Sequence, residues 1–245
     1  MRSYYFLPYG FGFWYQAGIL KNEYDKIDEL IGSSSGSLIS FIYLFKKEDI
    51  RFDFLQSLAL KCLKKHRQNY SLNLYKIVDD FLNEIVHVIN NYDEKEKKKI
   101  KKKLSKIKIQ YSIIKFYYIF PYLKSQSEIP KDIEHLKQLV KISTYIPLIS
   151  YYKSYFYYNY KDILAIDGYF TCSKKNEKKL NIYAWKYSSI IPCSYTEAKS
   201  MYDKGLKLKN IDKLRDCNLI LSSLYFVYNN LKNLVVFIFC IDISP

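Results

Sequence analysis

Residues 27–45 read IDELIGSSSGSLISFIYLF, and this stretch decides the fold. We predict a short strand over Ile27–Ile31, and the Gly-Ser cluster that follows predicts a tight turn. Leu38–Phe45 is apolar and predicts a helix. A strand that turns directly into a helix is the building unit of α/β folds, so we expect this class of architecture.

Elements of the same two kinds alternate on both sides of this stretch. Upstream, Tyr4–Leu7 predicts a buried first strand and Phe13–Asp25 predicts a helix packed on the sheet. Downstream, helices are predicted over Phe52–Lys65, Leu72–Ile89, Asp132–Ile142 and Thr196–Leu208, and strands over Asp162–Ile166, Leu180–Trp185 and Leu234–Ile241. The alternation predicts an α/β fold with a largely parallel central sheet.

The turn Gly32-Ser33-Ser34-Ser35-Gly36 matches the pattern G-x-S-x-G. With seven Gly in the chain, roughly 0.02 matches are expected by chance. A nucleophilic Ser on a strand-to-helix turn has a strained backbone, and flanking glycines remove Cβ atoms that would clash there. The N-terminus of the following helix also favours a developing oxyanion. The competing interpretation is a plain flexible turn that caps a helix.

Two further segments are of the kind that accompanies such a serine. Tyr9–Phe13 follows the first strand and opens a helix, so its backbone N–H groups could complete an oxyanion hole or hold a phosphate. Ile163–Ile166 leads into Asp167-Gly168, which places a carboxylate at the end of an apolar strand, where catalytic groups of α/β sheets collect. Taken singly, each segment is also compatible with an ordinary turn.

Together these segments resemble the patatin-like phospholipase family. The similarity lies in GFGFWYQAGIL, which begins at Gly10, in IGSSSGSLIS, which begins at Ile31, and in AIDGYF, which begins at Ala165. The segment that begins at Ser143 (STYIPL) and the late stretch EAKSMYDKGLKLKN also look like parts of that family. The resemblance is strongest over residues 4–45, 140–170 and 196–210 of one domain that spans 1–245. It implies a three-layer α/β/α fold.

The resemblance also implies the roles of individual residues. Ser34 and Asp167 would form a catalytic Ser-Asp dyad, with Gly32, Gly36 and Gly168 as supporting motif positions. The oxyanion hole would be made by backbone N–H groups of Gly10, Phe11, Gly12, Phe13 and Ser35. No metal or organic cofactor is required by a dyad of this kind. Two departures from the family pattern, in the glycine-rich loop and after Gly168, point to weakened or lost activity as an alternative.

The three histidines, His66, His87 and His135, all fall in predicted helices. A Ser-His-Asp triad of the α/β-hydrolase kind would need a His late in the chain, and none follows residue 135. We therefore expect the histidines to be surface or helix-packing residues. The sequence shows no spacing typical of metal ligands.

Charge and composition suggest where such an enzyme would act. The net charge of +15 favours anionic surfaces, whether phospholipid headgroups or nucleic acid. The basic run at 93–108 is interpreted as an exposed loop or insertion, either merely solvated or in contact with anionic lipid. The aromatic block at 151–158 is either sheet packing or an interfacial belt. Five scattered cysteines and no apolar run of about 20 residues predict a reduced, intracellular, cytoplasmic protein with peripheral membrane contact.

The sequence therefore predicts a serine lipid acyl hydrolase whose substrate is a phospholipid or another acyl lipid. An inactive module of the same fold that binds lipid or membrane is the alternative from another class. Nucleic-acid binding is a third and disfavoured option, because the hydrolase motifs and their adjoining helix account for six of the seven glycines.

Overall fold

The computed structural model describes residues 2–67, 74–146, 157–171, 180–182, 184–187, 193–209 and 224–231. The strands are β1 Ser3–Phe6, β2 Glu29–Ser33, β3 Ile107–Tyr117, β4 Phe120–Glu128, β5 Tyr158–Tyr160, β6 Ile163–Ile166 and β7 Leu180–Ile182. The α-helices are α1 Phe13–Glu23, α2 Ser35–Ile42, α3 Phe52–Arg67, α4 Leu74–Asn90, α5 Glu94–Leu104, α6 Ile133–Ser143, α7 Tyr195–Leu206 and α8 224–231.

The strands form one sheet in the order β5-β6-β3-β2-β1-β7, and β4 pairs with β3 off this path. The neighbours β3, β2, β1 and β7 are parallel, whereas β4 and β6 are antiparallel to β3 and β5 is antiparallel to β6. Helices flank the sheet. The fold class predicted from sequence is thus confirmed as mixed α/β with a mostly parallel central sheet, as expected of a three-layer arrangement.

The side chains of the central strands point alternately to the two faces of the sheet, and this divides the core into two clusters. Tyr4, Phe6 and Leu30 point to one face and pack in a large cluster with apolar residues of helices α1 to α7. Tyr5, Leu7 and Ile31 point to the opposite face and form a second, smaller cluster. Successive side chains of a strand alternate between faces, and strands buried on both faces therefore read as continuous apolar runs.

The predicted helices are present, with ends shifted by a few residues. The largest shift concerns the helix predicted to start at Leu38, which begins at Ser35, directly after the proposed nucleophile. Side-chain caps define two of the helix starts, because Asp132 accepts a hydrogen bond from the N–H of His135 and Ser194 accepts one from the N–H of Glu197. The second strand, predicted from Ile27, lies two residues later, over Glu29–Ser33.

The basic run at 93–108, predicted to be an exposed loop or insertion, is largely exposed but is not a loop. Asp93 caps a helix, α5, by accepting a hydrogen bond from the N–H of Glu96. Ile100 and Leu104 are buried in the main core, so a narrow apolar stripe holds this highly charged helix in place. Lys103 also turns inward and donates to the carbonyls of Leu44 and Phe45 at 3.1 and 2.7 Å. Burial lowers the pKa of Lys103 to about 8.

The hairpin formed by β3 and β4 was not predicted. Ile107, Ile109, Tyr111 and Ile113 alternate with polar or small residues and are buried, which is the period-2 signal of a strand. This pattern follows directly on the lysine run, which conceals it in the sequence. β3 is the pivotal strand, because β2, β4 and β6 all pair with it.

Some predictions fall outside the described residues. These are the strand at Leu234–Ile241 and most of the aromatic block at 151–158. The strand predicted over Leu180–Trp185 is present as β7, Leu180–Ile182. Among the residues that the structure describes, no helix combines the length and the apolar character needed to cross a bilayer.

Candidate active site

Ser34 lies at a sharp turn between β2 and α2. Its φ of 51° and ψ of −124° are unusual for a residue with a side chain, so the turn is strained and its Oγ projects from the end of the strand. The flanking glycines permit close packing. A Cβ at Gly36 would lie 2.0 Å from the carbonyl oxygen of Phe6, and one at Gly32 would lie 2.5 Å from that of Gly36. The supporting role predicted for both glycines thus has a steric reason.

The Ser34 hydroxyl donates a hydrogen bond to Asp167. Its Oγ lies 2.7 Å from Oδ2 of the carboxylate, and both side chains are buried. This distance is within the reach of a base that takes a proton from a hydroxyl. The structure therefore brings together the two residues that the sequence analysis paired, which are separated by 133 positions.

The registers on β3 explain why these two residues meet. Ser33 at the end of β2 is paired with Gln110, and Ile166 at the end of β6 is paired with Ser112. β4 occupies the other side of β3 over this region, so β2 and β6 approach the same side of β3 from opposite directions. Ser34 and Asp167 consequently both follow strand ends that converge opposite Tyr111. Because β2 runs parallel to β3 and β6 runs antiparallel to it, the C-terminal ends of β2 and β6 face each other.

The carboxylate of Asp167 is wholly buried, and this burial raises its pKa to about 7. Two hydrogen bonds oppose the shift, one from the N–H of Tyr169 to Oδ1 at 2.6 Å and one from Ser34. The desolvation of the ionised form outweighs them. Asp167 thus changes its protonation state near neutral pH, which is where a general base is most effective.

A small polar network holds the dyad and was not assigned from sequence. Ser143 accepts a hydrogen bond from the N–H of Ser34 at 2.8 Å and donates to the carbonyl of Gln110 at 2.6 Å. Ser112 donates to the carbonyl of Asp167 at 2.7 Å. Ser143 is the first residue of the STYIPL segment, so the family resemblance was the one sequence signal that pointed to it. Both serines tie the dyad to β3.

Gly168 is required by its surroundings. A Cβ at this position would lie 2.2 Å from Oγ of Ser33 and 2.6 Å from the carbonyl of Gln110. Any larger residue would therefore push Asp167 away from Ser34. The Asp-Gly pair recognised in the sequence is thus a packing requirement of this site and does not serve only as a turn.

The loop between β1 and α1 lies beside Ser34. The N–H of Tyr9 donates to Oγ of Ser35 at 2.9 Å, which links the loop to the start of α2. Within the loop, the N–H groups of Gly12 and Phe13 donate to the carbonyls of Tyr9 and Gly10 at 3.0 and 3.1 Å. These bonds argue against Gly12 and Phe13 as oxyanion donors, contrary to the prediction.

Four of the five predicted oxyanion residues, Gly10, Phe11, Phe13 and Ser35, line a pocket together with Ser34. Gly10 has a positive φ of 55°, which a glycine adopts without strain and which shapes the loop at the pocket entrance. Ser35 is the first residue of α2, where a helix leaves its N–H groups without intrahelical partners. The N–H of Ser35 is thereby suited to receive a developing negative charge.

The pocket above Ser34 is almost entirely apolar. It encloses about 790 Å³ of space, part of which is open to solvent. Its walls come mainly from helices α1 to α4 and include Trp14, Leu38, Ala59, Cys62, Ile77 and Phe81. Such a lining favours an apolar group over a polar one beside the dyad.

The described contacts of the three histidines do not involve the dyad. His66 contacts Asp80 at 2.8 Å, His135 contacts Tyr160 at 2.7 Å, and His87 contacts Asn91 at 3.4 Å. Each of these contacts lies on or between secondary-structure elements, in line with the helix-packing role predicted for them. Within the described ranges, no group of three or more His, Cys, Asp or Glu side chains is placed to hold a metal ion.

Comparison with known proteins adds no relative. No family model, curated protein or solved structure matches the chain.

The buried carboxylate should destabilise the protein above acidic pH. Because the pKa of Asp167 is raised in the folded state, the fold retains this proton more tightly than the unfolded chain does. Stability due to this group is therefore lost as the pH rises from about 4 to about 7. Asp167→Asn removes the titration, and its stability relative to the parent should grow over this range by up to about 4 kcal/mol. Urea unfolding at several pH values measures the difference.

Asp162→Asn is the matched control, because Asp162 is exposed and its positive φ suits Asn. Its stability should follow that of the parent at every pH. Parallel curves for Asp167→Asn and the parent would show that the buried carboxylate carries no such cost.

Proposed function

We propose that this protein is a serine lipid acyl hydrolase that cleaves carboxylic ester bonds through a Ser34-Asp167 dyad and an acyl-enzyme. The observation that carries the proposal is the 2.7 Å hydrogen bond from a strained Ser34 to a fully buried Asp167, beside an apolar pocket. The resemblance of the motifs to those of patatin-like phospholipases gives independent support from the sequence.

The acylation step follows from the contacts of the dyad. Asp167 accepts the proton of Ser34 as Oγ forms a bond to the acyl carbonyl carbon, and the carbonyl π electrons move to its oxygen. When the tetrahedral intermediate collapses, the bond to the alcohol oxygen breaks and the leaving alkoxide takes the proton from Asp167. The acyl group then remains on Ser34 as an ester.

Deacylation repeats the same transfers with water as the nucleophile. Asp167 takes a proton from water, the hydroxyl adds to the acyl carbonyl, and Ser34 leaves with the proton returned from Asp167. The products are a free fatty acid and the regenerated enzyme. Since Asp167 is the acid and the base in both steps, this chemistry requires neither a histidine nor a cofactor.

Backbone N–H groups would hold the oxyanion of both intermediates. Ser35 at the start of α2 and Phe11 in the adjacent loop are the strongest candidates, because both residues line the pocket beside Ser34. Gly12 and Phe13 could contribute only if the loop turn opened, since their N–H groups already have acceptors. One such donor is typically worth about 2.7–4 kcal/mol in the transition state.

The apolar pocket and the charge of the protein together favour an acyl lipid as the substrate. The pocket would take the hydrocarbon chain, and the net charge of +15 would attract the protein to anionic phospholipid surfaces. Several lysines of α5, among them Lys98, Lys101 and Lys102, are exposed and could add to this attraction. Peripheral contact with an anionic membrane is therefore part of the proposal.

The alternative is a module of this fold that binds lipid without hydrolysing it. The engaged N–H groups of Gly12 and Phe13 favour this alternative, because they remove two of the five predicted oxyanion donors. Covalent labelling of the serine separates the two functions, since it requires an activated nucleophile.

The turn of three consecutive serines provides its own control for labelling. A fluorophosphonate should label the parent protein on Ser34, and Ser34→Ala should abolish both labelling and ester hydrolysis. Ser33→Ala should retain both, because Oγ of Ser33 is buried without a hydrogen-bond partner among the described residues, whereas Oγ of Ser34 donates to Asp167. Mass spectrometry of the labelled peptide and hydrolysis of a soluble short-chain ester measure the outcome. An unlabelled parent would leave the binding module as the explanation.

The pH dependence of hydrolysis should report Asp167. The burial-raised pKa of Asp167 predicts that kcat/KM rises with pH through about 7 and then levels off, as the carboxylate becomes ionised. A histidine base would give a similar curve, so replacement of His66, His87 and His135 by Gln is the control. The triple variant should keep the profile and stay within a few-fold of the parent rate. Loss of activity comparable to that of Ser34→Ala would identify a histidine as the base.

Blocking the pocket should change the preference for chain length. Ala59 lines the pocket from α3, so Ala59→Phe would fill space that a long acyl chain needs. We expect kcat/KM for a long-chain ester to fall at least about tenfold, with little change for an acetyl ester. Ser57→Phe is the control, because Ser57 is exposed on the same helix. Equal losses for the two ester lengths would mean that the acyl chain binds elsewhere.

A further inference from the structure

The hairpin of β3 and β4 ends in an exposed aromatic tip. The hairpin tip comprises Phe116, Tyr117, Tyr118, Ile119 and Phe120, all of which are largely exposed. Tyr118 and Ile119 are the most exposed of them, at 86% and 81%. Tyr117 is paired with Phe120, so Tyr118 and Ile119 form the two-residue turn itself. A cluster of large apolar side chains in solvent is typical of an interaction surface.

The backbone conformation of the tip is energetically unfavourable as well. Tyr118 has a φ of 55°, at a turn position where hairpins favour Gly, Asn or Asp. An aromatic residue there is strained, and its side chain gains little packing in return, since its described ring contact is with the exposed Tyr117 at 4.9 Å. Exposure and strain at the same residue indicate that the tip serves a contact outside the described fold.

The charge around the tip identifies the kind of partner. Residues 107–127 contain no Asp or Glu, and the exposed Lys115 and Lys124 stand just behind the tip on β3 and β4. Lysine ammonium groups behind an aromatic wedge match a surface whose outer layer is anionic and whose inner layer is apolar. Tyrosine is suited to that boundary because its ring is apolar and its hydroxyl is polar.

The direction of the hairpin relates the tip to the dyad. β3 is parallel to β2 and is paired with its last residue, Ser33, at Gln110. From there β3 continues to Tyr117, which is roughly 23 Å along a strand. The hairpin therefore extends past the edge of the sheet at which Ser34 lies. A surface that receives the tip would face this edge.

We propose that the hairpin tip docks the protein on membranes by inserting its aromatic side chains into the interfacial layer of an anionic phospholipid surface. A tip of this size matches the 5–10 Å depth to which interfacial elements are buried. The purpose of this docking, which is to bring lipid to Ser34, rests on the proposed function. Docking itself needs no catalysis and is tested without it.

Vesicle binding by full-length Ser34→Ala protein tests the proposal, because the lipid then stays intact. The probes are vesicles of phosphatidylcholine with and without phosphatidylserine, and binding is measured by co-sedimentation. The test variant adds Tyr118→Gly, Ile119→Asn and Phe120→Thr. Gly-Asn suits the turn, so thermal unfolding should show unchanged or higher stability. Binding to the anionic vesicles should weaken at least about tenfold.

The control variant adds Tyr228→Gln and Leu231→Gln to Ser34→Ala. Both residues lie on α8 and are exposed to 61% each, so the variant removes an exposed aromatic and an exposed aliphatic side chain away from the tip. It should bind anionic vesicles like its parent. The proposal is overturned if the tip variant binds like its parent, or if the control loses as much. It is also overturned if the tip changes only a monomer–dimer equilibrium in sedimentation without lipid, which would make a second copy the partner.

The soluble-ester assay distinguishes failure of this proposal from failure of the proposed function. With Ser34 intact, the tip variant should hydrolyse a soluble short-chain ester at the parental rate, because the tip is remote from the dyad along β3. Vesicle binding without any ester hydrolysis by the parent would preserve the docking role and end the hydrolase proposal.

Discussion

The convergence of two strand ends on one side of β3 is the constraint on which the site depends. β2 ends in Ser33 and β6 ends in Ile166, and their partners on β3, Gln110 and Ser112, are separated by a single residue. The residues that follow the two strands have little room and meet side chain to side chain. Because β4 pairs with the opposite side of β3, β2 and β6 share the remaining side. A hydrogen bond between residues distant in sequence is thus enforced by sheet register.

This arrangement buries the carboxylate of Asp167 completely. Burial of Asp167 is unfavourable for its ionised form, and among the described residues the N–H of Tyr169 and the hydroxyl of Ser34 offset this cost through hydrogen bonds. The same desolvation gives the carboxylate a pKa near neutrality, which suits it to exchange protons with Ser34. Stability and the proposed chemistry therefore oppose each other at this residue, as is usual where a site is strained or desolvated.

A single strand, β3, connects the region of the dyad to the hairpin tip. At its start β3 pairs with β2, in its middle Ser112 and the carbonyl of Gln110 support the dyad network, and at its end it carries the hairpin tip. The tip and the dyad are thereby fixed on one rigid element. If the tip binds a lipid surface as proposed, the sheet sets the position of the dyad relative to that surface, and no conformational change is needed.

The sequence by itself determined the local units of the structure. Apolar periodicity over α3, α4, α6 and α7 was sufficient to find these helices. The glycines around Ser34 and after Asp167 were enough to identify a strained serine and a carboxylate at strand ends, because both features depend on residues close in the chain. Even the pairing of Ser34 with Asp167 was anticipated, although through resemblance to a family and without a physical reason for the contact.

Only the tertiary structure decided the features that depend on distant neighbours. The lysine run forms α5 because Ile100 and Leu104 meet the core, which a count of charges cannot reveal. β3 was missed although its side chains alternate, because the pattern directly follows the lysine run, and only the structure shows that three strands pair with it. The N–H groups of Gly12 and Phe13 looked available in the sequence, yet the loop turn uses both. Local propensity fixes which element forms, whereas register and burial fix which groups meet and which remain available for chemistry.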